Sequence, residues 1–396
     1  MSSSQVKKNN QDFELKEIKG FEDLNLSDDL LKGVYAYGFE KPSEIQKKGI
    51  QAIQSGRDCI VQAQSGTGKT ATFLLGGLSI IDTSKKCCQV LVACPTRELA
   101  TQIYNVLDNI SKYTGITKTF CIGGTSMNKS LSDIKKGAQI IIGTPGRIYH
   151  MIEDNHLDLE HLKAMVMDEA DDMLSLGFTE KIYDILKSLP EEVQVCLLSA
   201  TMPRQVFDVT KNFMRNPFKI LLKKDQLTLE GIKQFYIDTE VEEFKFDILL
   251  DLYSIINASQ AIIYCNTIRK VDWLAKNLLE KDFPIAYIHG KLSQEERNGV
   301  VKDFRMGKTR LLLTTDLLAR GIDIQQVSLV INYDLPSNKD NYIHRIGRSG
   351  RFGRKGVAIN LVKMSDEGEM RLFTGIKRYF HTEIEEMPEE ISMYLV

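Results

Sequence analysis

Residues 59–70 read Cys59-Ile60-Val61-Gln62-Ala63-Gln64-Ser65-Gly66-Thr67-Gly68-Lys69-Thr70. An apolar run, a glycine-rich turn and a Lys-Thr pair opening a helical stretch make a phosphate-binding loop in its strand–loop–helix setting. Gly66 and Gly68, beside Ser65 and Thr67, let backbone N–H groups turn inward on a polyphosphate, and the following helix N-terminus adds partial positive charge. Lys69 is placed to reach the β- and γ-phosphates, and the Thr70 hydroxyl to ligate Mg²⁺. Ala63 stands where the general pattern has its first glycine, so the setting counts as much as the spelling.

A second stretch, Ala164-Met165-Val166-Met167-Asp168-Glu169-Ala170-Asp171, ends an apolar run on acids. Acids at the carboxyl end of a buried parallel strand point into the crevice where such sheets bind ligands. Asp168 suits a Mg²⁺ anchor, and Glu169 suits a base for the attacking water. Three acids in four residues would also suit a solvated helix start; the phosphate loop about a hundred residues upstream favours the chemistry.

Outward from these motifs, short apolar runs recur at 59–63, 90–94, 119–122, 140–143, 164–167 and 195–199, with helices predicted over 96–111 and 180–189. Near-continuous apolar strands alternating with helices predict parallel sheets covered on both faces. The rhythm weakens around 222–231 and restarts with strands predicted at 234–239, 261–266, 285–289, 310–315, 328–333 and 357–362. An α/β protein of two lobes follows, duplicated in rhythm without a residue-level repeat. Its expected parts are a disordered tail over 1–18, a first domain over 19–222, a linker over 223–231 and a second domain over 232–396. A chain of 396 residues suits two domains on length alone.

Lys and Arg total 51 against 53 Asp and Glu, a net charge of −2, so a nucleic acid would have to be met by a local surface rather than a bulk cationic field. The seven cysteines, an odd number without C-x-x-C spacing, lie mostly in apolar runs. They read as small buried hydrophobes of a reducing compartment, not as disulfides or zinc ligands. The opening Met1–Lys8 has no apolar targeting core and no stretch approaches a membrane span, so a cytoplasmic location is expected.

Asp168-Glu169-Ala170-Asp171 is the tetrapeptide that names the DEAD-box RNA helicases, and the chain resembles that family in motif order from about residue 21 onward. The resemblance implies two tandem RecA-like domains, each a parallel sheet covered by helices, joined by a flexible linker. Gly38-Phe39-Glu40-Lys41-Pro42-Ser43-Glu44-Ile45-Gln46 resembles the adenine-reading motif, which makes ATP the cofactor, with Phe39 stacking and Gln46 pairing with the adenine edge. Read alone, Phe39 is a core residue and Gln46 a helix-surface residue. Pro95-Thr96-Arg97-Glu98-Leu99-Ala100, Gly123-Gly124 and Thr144-Pro145-Gly146-Arg147 resemble the family's RNA path. That makes Arg97, Gly124, Thr144 and Arg147 expected RNA contacts; alone they would be loop punctuation with solvated arginines. Ser199-Ala200-Thr201 resembles the motif that couples hydrolysis to RNA work, and an N-cap is its plain reading.

For the second half, the resemblance implies RNA contacts at Asn266, Thr267 and Thr315, a ribose contact at Asp323, and arginine fingers at Arg348 and Arg351. His344 reads as a hydrogen-bonded relay to the first domain rather than a metal ligand, since no other ligand lies at suitable spacing in the sequence. The fingers also answer a need, since the second half has no phosphate loop of its own. Two positions depart from the family pattern: Ile268 stands where relatives usually carry arginine, and Lys291 where they usually carry aspartate.

Tyr35–Ser43, Leu227–Ile232 and Gln325–Pro336 resemble the translation-initiation branch of the family. The implied activity is RNA-dependent ATP hydrolysis that locally unwinds short duplexes in messenger leaders as ATP and RNA close the cleft. Its implied partners are RNA of any sequence and initiation scaffold proteins, and the implied state is a monomer. The competing activities are an ATP-dependent RNA clamp of exon-junction or ribosome-biogenesis type, and a P-loop ATPase acting on protein or DNA.

Overall fold

The computed structural model describes residues 14–63, 67–124, 126–175, 177–221, 231–255, 260–316, 327–349, 356–389 and 391–394. Strands β1 (Cys59–Gln62), β2 (Val90–Ala93), β3 (Lys118–Cys121), β4 (Ile140–Gly143), β5 (Ala164–Met167), β6 (Gln194–Ser199) and β7 (Phe218–Ile220) form a sheet in the order β3-β4-β2-β5-β6-β1-β7. Strands β8 (Ile232–Asp238), β9 (Gln260–Tyr264), β10 (Ile285–Ile288), β11 (Leu311–Thr314), β12 (Val327–Asn332), β13 (Gly356–Val362) and β14 (Glu385–Glu386) form another, in the order β10-β11-β9-β12-β13-β8-β14. All pairings among the described residues are parallel. Counted within its own set, the second order repeats the first, so the duplication seen in the sequence only as rhythm is an identity of topology. These are the two tandem RecA-like units that the sequence led us to expect.

The first sheet is accompanied by α1 (Asp28–Ala36), α2 (Glu44–Gln54), α3 (Lys69–Ser79), α4 (Arg97–Ile110), α5 (Met127–Lys135), α6 (Pro145–Glu153), α7 (Ala170–Ser175), α8 (Thr179–Lys187) and α9 (Arg204–Phe213). The second carries α10 (Phe244–Ile255), α11 (Ile268–Leu279), α12 (Gln294–Arg305), α13 (Lys339–Ile346) and α14 (Glu367–Phe380). Side chains alternate across each strand, and both faces are covered. Val90, Val92, Ile140, Ile142 and Val166 enter one core, while Leu91, Ala93, Ile141, Met165 and Met167 enter the core on the opposite face. That is why the strands read as unbroken apolar runs. The second sheet repeats the device, with Ile263, Leu313 and Ile331 on one side and Ile262, Leu312 and Val330 on the other.

The predicted strands all lie within two residues of the observed ends. The two strands not anticipated, β7 and β14, are short edge strands whose residues are partly or fully exposed, so neither has a buried period to read. The expected tail is shorter than 1–18: Lys16 N–H donates to Gln51 Oε1 at 2.9 Å, Gln51 Nε2 donates to Lys16 O at 3.1 Å, and Ile18 is buried. Most of the expected linker, 223–230 of 223–231, lies outside the described residues, whereas Gly231 O already accepts from Gly356 N at 2.8 Å, beside the start of β8. Cys59, Cys88, Cys94, Cys121, Cys196 and Cys265 are buried free thiols. None of the described helices is long and apolar enough to cross a membrane.

Parallel sheets gather their carboxyl-end loops along one edge, and the sheet order divides that edge. The phosphate loop follows β1, the acids follow β5 and Ser199–Thr201 follow β6, on three neighbouring strands. Arg97, Gly124 and Thr144 follow β2, β3 and β4 on the other half. In the second lobe Thr267 and Thr315 follow β9 and β11, the topological counterparts of β2 and β4.

Candidate active site between the two lobes

Gln64, Ser65 and Gly66 lie outside the described residues; Thr67, Gly68, Lys69 and Thr70 are placed. Gly68 has φ +95° at the head of α3, and a Cβ there would stand 2.6 Å from Gln46 Nε2. Backbone and neighbour together demand glycine. Gln46 is buried, not on the helix surface, and its Oε1 accepts from Ser43 N–H at 2.7 Å in a capping box. Ser43 Oγ in turn donates to Thr67 O at 3.0 Å, tying the expected adenine reader to the phosphate loop. Phe39 is half-buried, with ring centroids 6.1 Å from Phe21 and 5.1 Å from Tyr37. The first turn of α3 carries no acid, so its positive end is left for an anion.

Lys69 is buried with Nζ 3.4 Å from Glu169 Oε1. Glu169 has φ +50°, the sparsely populated left-handed region for a non-glycine residue, and this kink separates the end of β5 from the start of α7. Backbone strain of this kind gathers at functional sites. Burial, and after it the neighbouring Glu169 charge, push the Asp168 carboxyl up to about 7 against the pull of Lys69. Two adjacent buried carboxylates leave the pocket short of positive charge. With the Thr70 hydroxyl they offer the hard oxygen donors that suit Mg²⁺.

Asp171, on α7, links the lobes. Its Oδ2 accepts from the Thr201 hydroxyl at 2.5 Å and the Thr201 N–H at 3.2 Å, and lies 3.3 Å from His344 Nε2 on α13 of the second lobe. Donor atoms of Glu169, Asp171 and His344 come within 4.8 Å of one another. One Asp171 oxygen thus meets Thr201 and His344 together, a hydrogen-bonded chain from the first lobe to the second. Ser199 Oγ donates to Thr201 O at 2.6 Å, and the N-cap of α9 is Pro203, so Ser199 is not the cap that its plain reading allowed.

Along the other half of the edge, Arg97 packs over the Gly123-Gly124 turn: Gly124 has φ +77°, and a Cβ there would sit 2.5 Å from Arg97 Nη1. Thr144 heads α6 without spending its side chain on the cap, and Arg147 Nη1 is buried with no hydrogen-bond partner among the described residues. In the second lobe Thr267 Oγ1 accepts from Lys270 N at 3.2 Å as N-cap of α11, and Thr315 is half-buried. Asn266 differs from expectation. Its Nδ2 donates to Leu335 O and its Oδ1 accepts from Arg345 Nη2, both at 2.8 Å, and its backbone N–H donates to Asp334 Oδ2 at 2.9 Å, so both side chain and amide are engaged within the second lobe.

Arg345 is fully buried and also donates to Asp316 Oδ1 at 2.5 Å and Asp334 O at 2.7 Å, pinning three loops together. Arg348, four residues beyond His344, is 4% exposed and donates Nε–H to His344 O at 3.1 Å. Asp323 and Arg351 lie outside the described residues.

Sequence reasoning missed one contact between lobes. Glu98 of α4 meets Arg297 of α12 at 2.9 Å, both side chains buried, and Gln294 Nε2 donates to Glu98 Oε1 at 3.3 Å. A Glu and an Arg on amphipathic helices read as solvated charges, and nothing in the sequence pairs them. Glu98→Ala, Arg297→Ala and the double variant should each weaken RNA binding about tenfold when an ATP analogue is present, since contacting pairs couple by about 0.5–3 kcal/mol. Binding without nucleotide should be unchanged. Anisotropy of labelled single-stranded RNA measures this, and additive single effects would exclude a direct pair.

Residues 43–209 match the family described as DEAD/DEAH box helicase, and residues 244–353 that described as helicase conserved C-terminal domain. Eukaryotic initiation factor 4A of Caenorhabditis elegans is 54% identical over 375 residues, 95% of this chain and 92% of the relative. The ATP-dependent RNA helicase eIF4A of Scheffersomyces stipitis is 55% identical over 94% of this chain and 93% of its own length. Among solved structures, S. cerevisiae Dbp5 bound to RNA and ADP BeF3 is similar with a TM-score of 0.88 and 36% identity, covering 94% of this chain and 97% of that one. A duplicated parallel fold could serve many ATPases, but identity at this level across both lobes narrows the choice: the chain belongs to the DEAD-box family of ATP-dependent RNA helicases.

Proposed function

We propose that this helicase acts in translation initiation, opening short duplexes in messenger RNA leaders as ATP closes its cleft. The observation that carries the reading is the relay from Thr201 through Asp171 to His344, which joins the nucleotide half of the first lobe to the second lobe. We take 19–222 and 232–396 as the RecA-like domains, with Lys16 and Ile18 added to the first and 223–231 as the linker. Relatives named as initiation factor 4A support the initiation role; messenger leaders as substrate, scaffold proteins of initiation as partners and a cytoplasmic monomer complete the proposal.

In this mechanism Lys69 and the α3 N-terminus hold the phosphates, Gln46 and Phe39 the adenine, and Asp323 the ribose. Asp168 and Thr70 would hold Mg²⁺, which when bound neutralises the phosphate oxygens. Glu169 takes a proton from the attacking water, and Arg348 and Arg351 supply charge from across the cleft. Arg97, Gly124, Thr144, Arg147, Thr267 and Thr315 present guanidinium, hydroxyl and backbone N–H groups to a strand's phosphates, which favours RNA without reading sequence. Closure then presses one bound strand into a path that a regular duplex cannot follow.

The test is ATP turnover with and without single-stranded RNA, alongside unwinding of a short RNA duplex and rescue of a leader-hairpin reporter in extract depleted of its own factor. RNA stimulation, unwinding and rescue are expected. Unwinding without rescue would remove the initiation role, and stimulation by DNA instead of RNA would remove the RNA reading. As a control, Lys69→Ala should lower ATP affinity roughly ten- to a hundredfold, the loss of one charge-assisted contact of about 1.5–3 kcal/mol. Unchanged affinity in a nucleotide-binding titration would count against the phosphate loop.

A further inference from the structure

A cavity of about 390 Å³ lies between the lobes; Ile60 and Gln62 of β1 line it, but no described residue of the phosphate loop or of the Arg97–Gly124 turn does. Thr201, Met202, Phe207 and Lys219 of the first lobe wall it on one side, and Tyr379 and Phe380 at the end of α14 wall it on the other. Its surface is mostly apolar, and its size lies in the range of small-molecule sites. Phe207 is 59% exposed and Tyr379 44%, large aromatic surfaces left uncovered beside an opening. Lys219, itself exposed, is the one charged side chain among the described residues lining the cavity, so the site favours an anion at its rim. We propose that this cavity is a regulatory site for an aromatic small molecule bearing one acidic group, with rings between Phe207 and Tyr379 and the acid on Lys219.

Such an occupant touches walls that meet only when the lobes are together. It therefore gains more contact in the closed arrangement than in an open one and shifts the population toward closure. Coupling is reciprocal: ATP and RNA must raise the affinity of the occupant by the factor with which it raises theirs. Thr201 is both a wall of this cavity and the hydrogen-bond partner of Asp171, so the occupant rests directly on the relay. The consequence is retarded reopening, with tighter RNA binding and slower turnover. This rests on the closure cycle proposed above.

The experiment uses the full chain and 8-anilinonaphthalene-1-sulfonate, an apolar aromatic anion whose fluorescence rises in apolar surroundings. Titrations are made with and without saturating ATP analogue and single-stranded RNA, the analogue keeping the dye out of the nucleotide site. We expect about tenfold tighter dye binding in the ternary complex, within the usual range of coupling between sites. Thr210→Trp, which fills the cavity from α9, and Phe207→Ala, which removes a wall, should each abolish that gain while leaving RNA-stimulated turnover without dye unchanged. Dye should slow turnover of the unsubstituted chain and not of Thr210→Trp. Small-angle scattering on the same samples reports closure independently. Closure without a gain in dye affinity, or a gain that survives both substitutions, overturns the site; an absence of closure overturns instead the cycle on which it rests.

Discussion

Replacing Arg348 by alanine should slow RNA-stimulated ATP hydrolysis by about 10³-fold or more, a barrier increase of about 4 kcal/mol, while ATP affinity changes little. On the proposed reading the groups that hold the phosphates, Lys69 and the head of α3, belong to the first lobe, whereas Arg348 belongs to the second. It follows His344 by four residues, and His344 already lies 3.3 Å from Asp171 across the cleft. Only charge that arrives on closure can be spent on the transition state instead of on binding. Arg348→Lys should restore little, because a lysine lacks the planar fork that grips phosphoryl oxygens. Single-turnover hydrolysis and a fluorescent-analogue titration separate the two quantities. Hydrolysis within tenfold of the unsubstituted rate would sink the assignment. A loss of analogue binding equal to the loss of rate would place Arg348 in ground-state binding instead.

What the sequence made legible follows from what each residue can do alone. Strands buried on both faces must be apolar throughout, so Ile140–Ile142 and Leu311–Leu313 announce themselves; β7 and β14, exposed at an edge, have no such obligation. Lys69, Asp168 and Glu169 are legible because phosphate and metal chemistry leaves few residue types eligible at a strand end. Pairings between lobes are not. Asp171 and His344 are 173 positions apart, and Glu98 and Arg297 are charged residues on helices where charge is ordinary. Asn266 carries a structural duty the sequence did not show: three loops of the second lobe converge on Arg345, and the Asn266 amide helps to hold it. Gln46 lies between the two, being both a cap for its own helix and a wall of the phosphate loop through Gly68.

The repeated strand order explains how one architecture makes a composite site. In each lobe the second and fourth strands of the set end on groups suited to a backbone, Arg97 and Thr144 in the first, Thr267 and Thr315 in the second. Only the first lobe places a phosphate loop after its opening strand. On the proposed reading RNA is gripped by equivalent edges of both lobes, while nucleotide is bound by one lobe and its chemistry completed by the other. Glu98–Arg297 and Asp171–His344 tie the lobes at two places, beside the proposed RNA edge and the proposed nucleotide edge respectively, which would give each ligand a structural route to favour the state that the other prefers.

Glu169→Gln provides the sharpest separation of binding from chemistry. Glutamine keeps the size of the side chain and can occupy the same kinked backbone, so the loop between β5 and α7 should hold. It removes the charge facing Lys69 at 3.4 Å and with it the second-largest cause of the raised Asp168 carboxyl, which should then ionise more readily. Nucleotide binding should accordingly be retained. The attacking water loses its base, for which a loss of about 10²–10⁴ in rate is typical. With ATP bound and hydrolysis stalled, the closed state should persist, and labelled RNA should leave the ATP-bound variant far more slowly than it leaves the unsubstituted chain. Turnover and RNA release, measured on the same preparation, decide the matter. Near-normal turnover would remove Glu169 as the base, and lost turnover with fast RNA release would mean that hydrolysis does not time the reopening of the cleft.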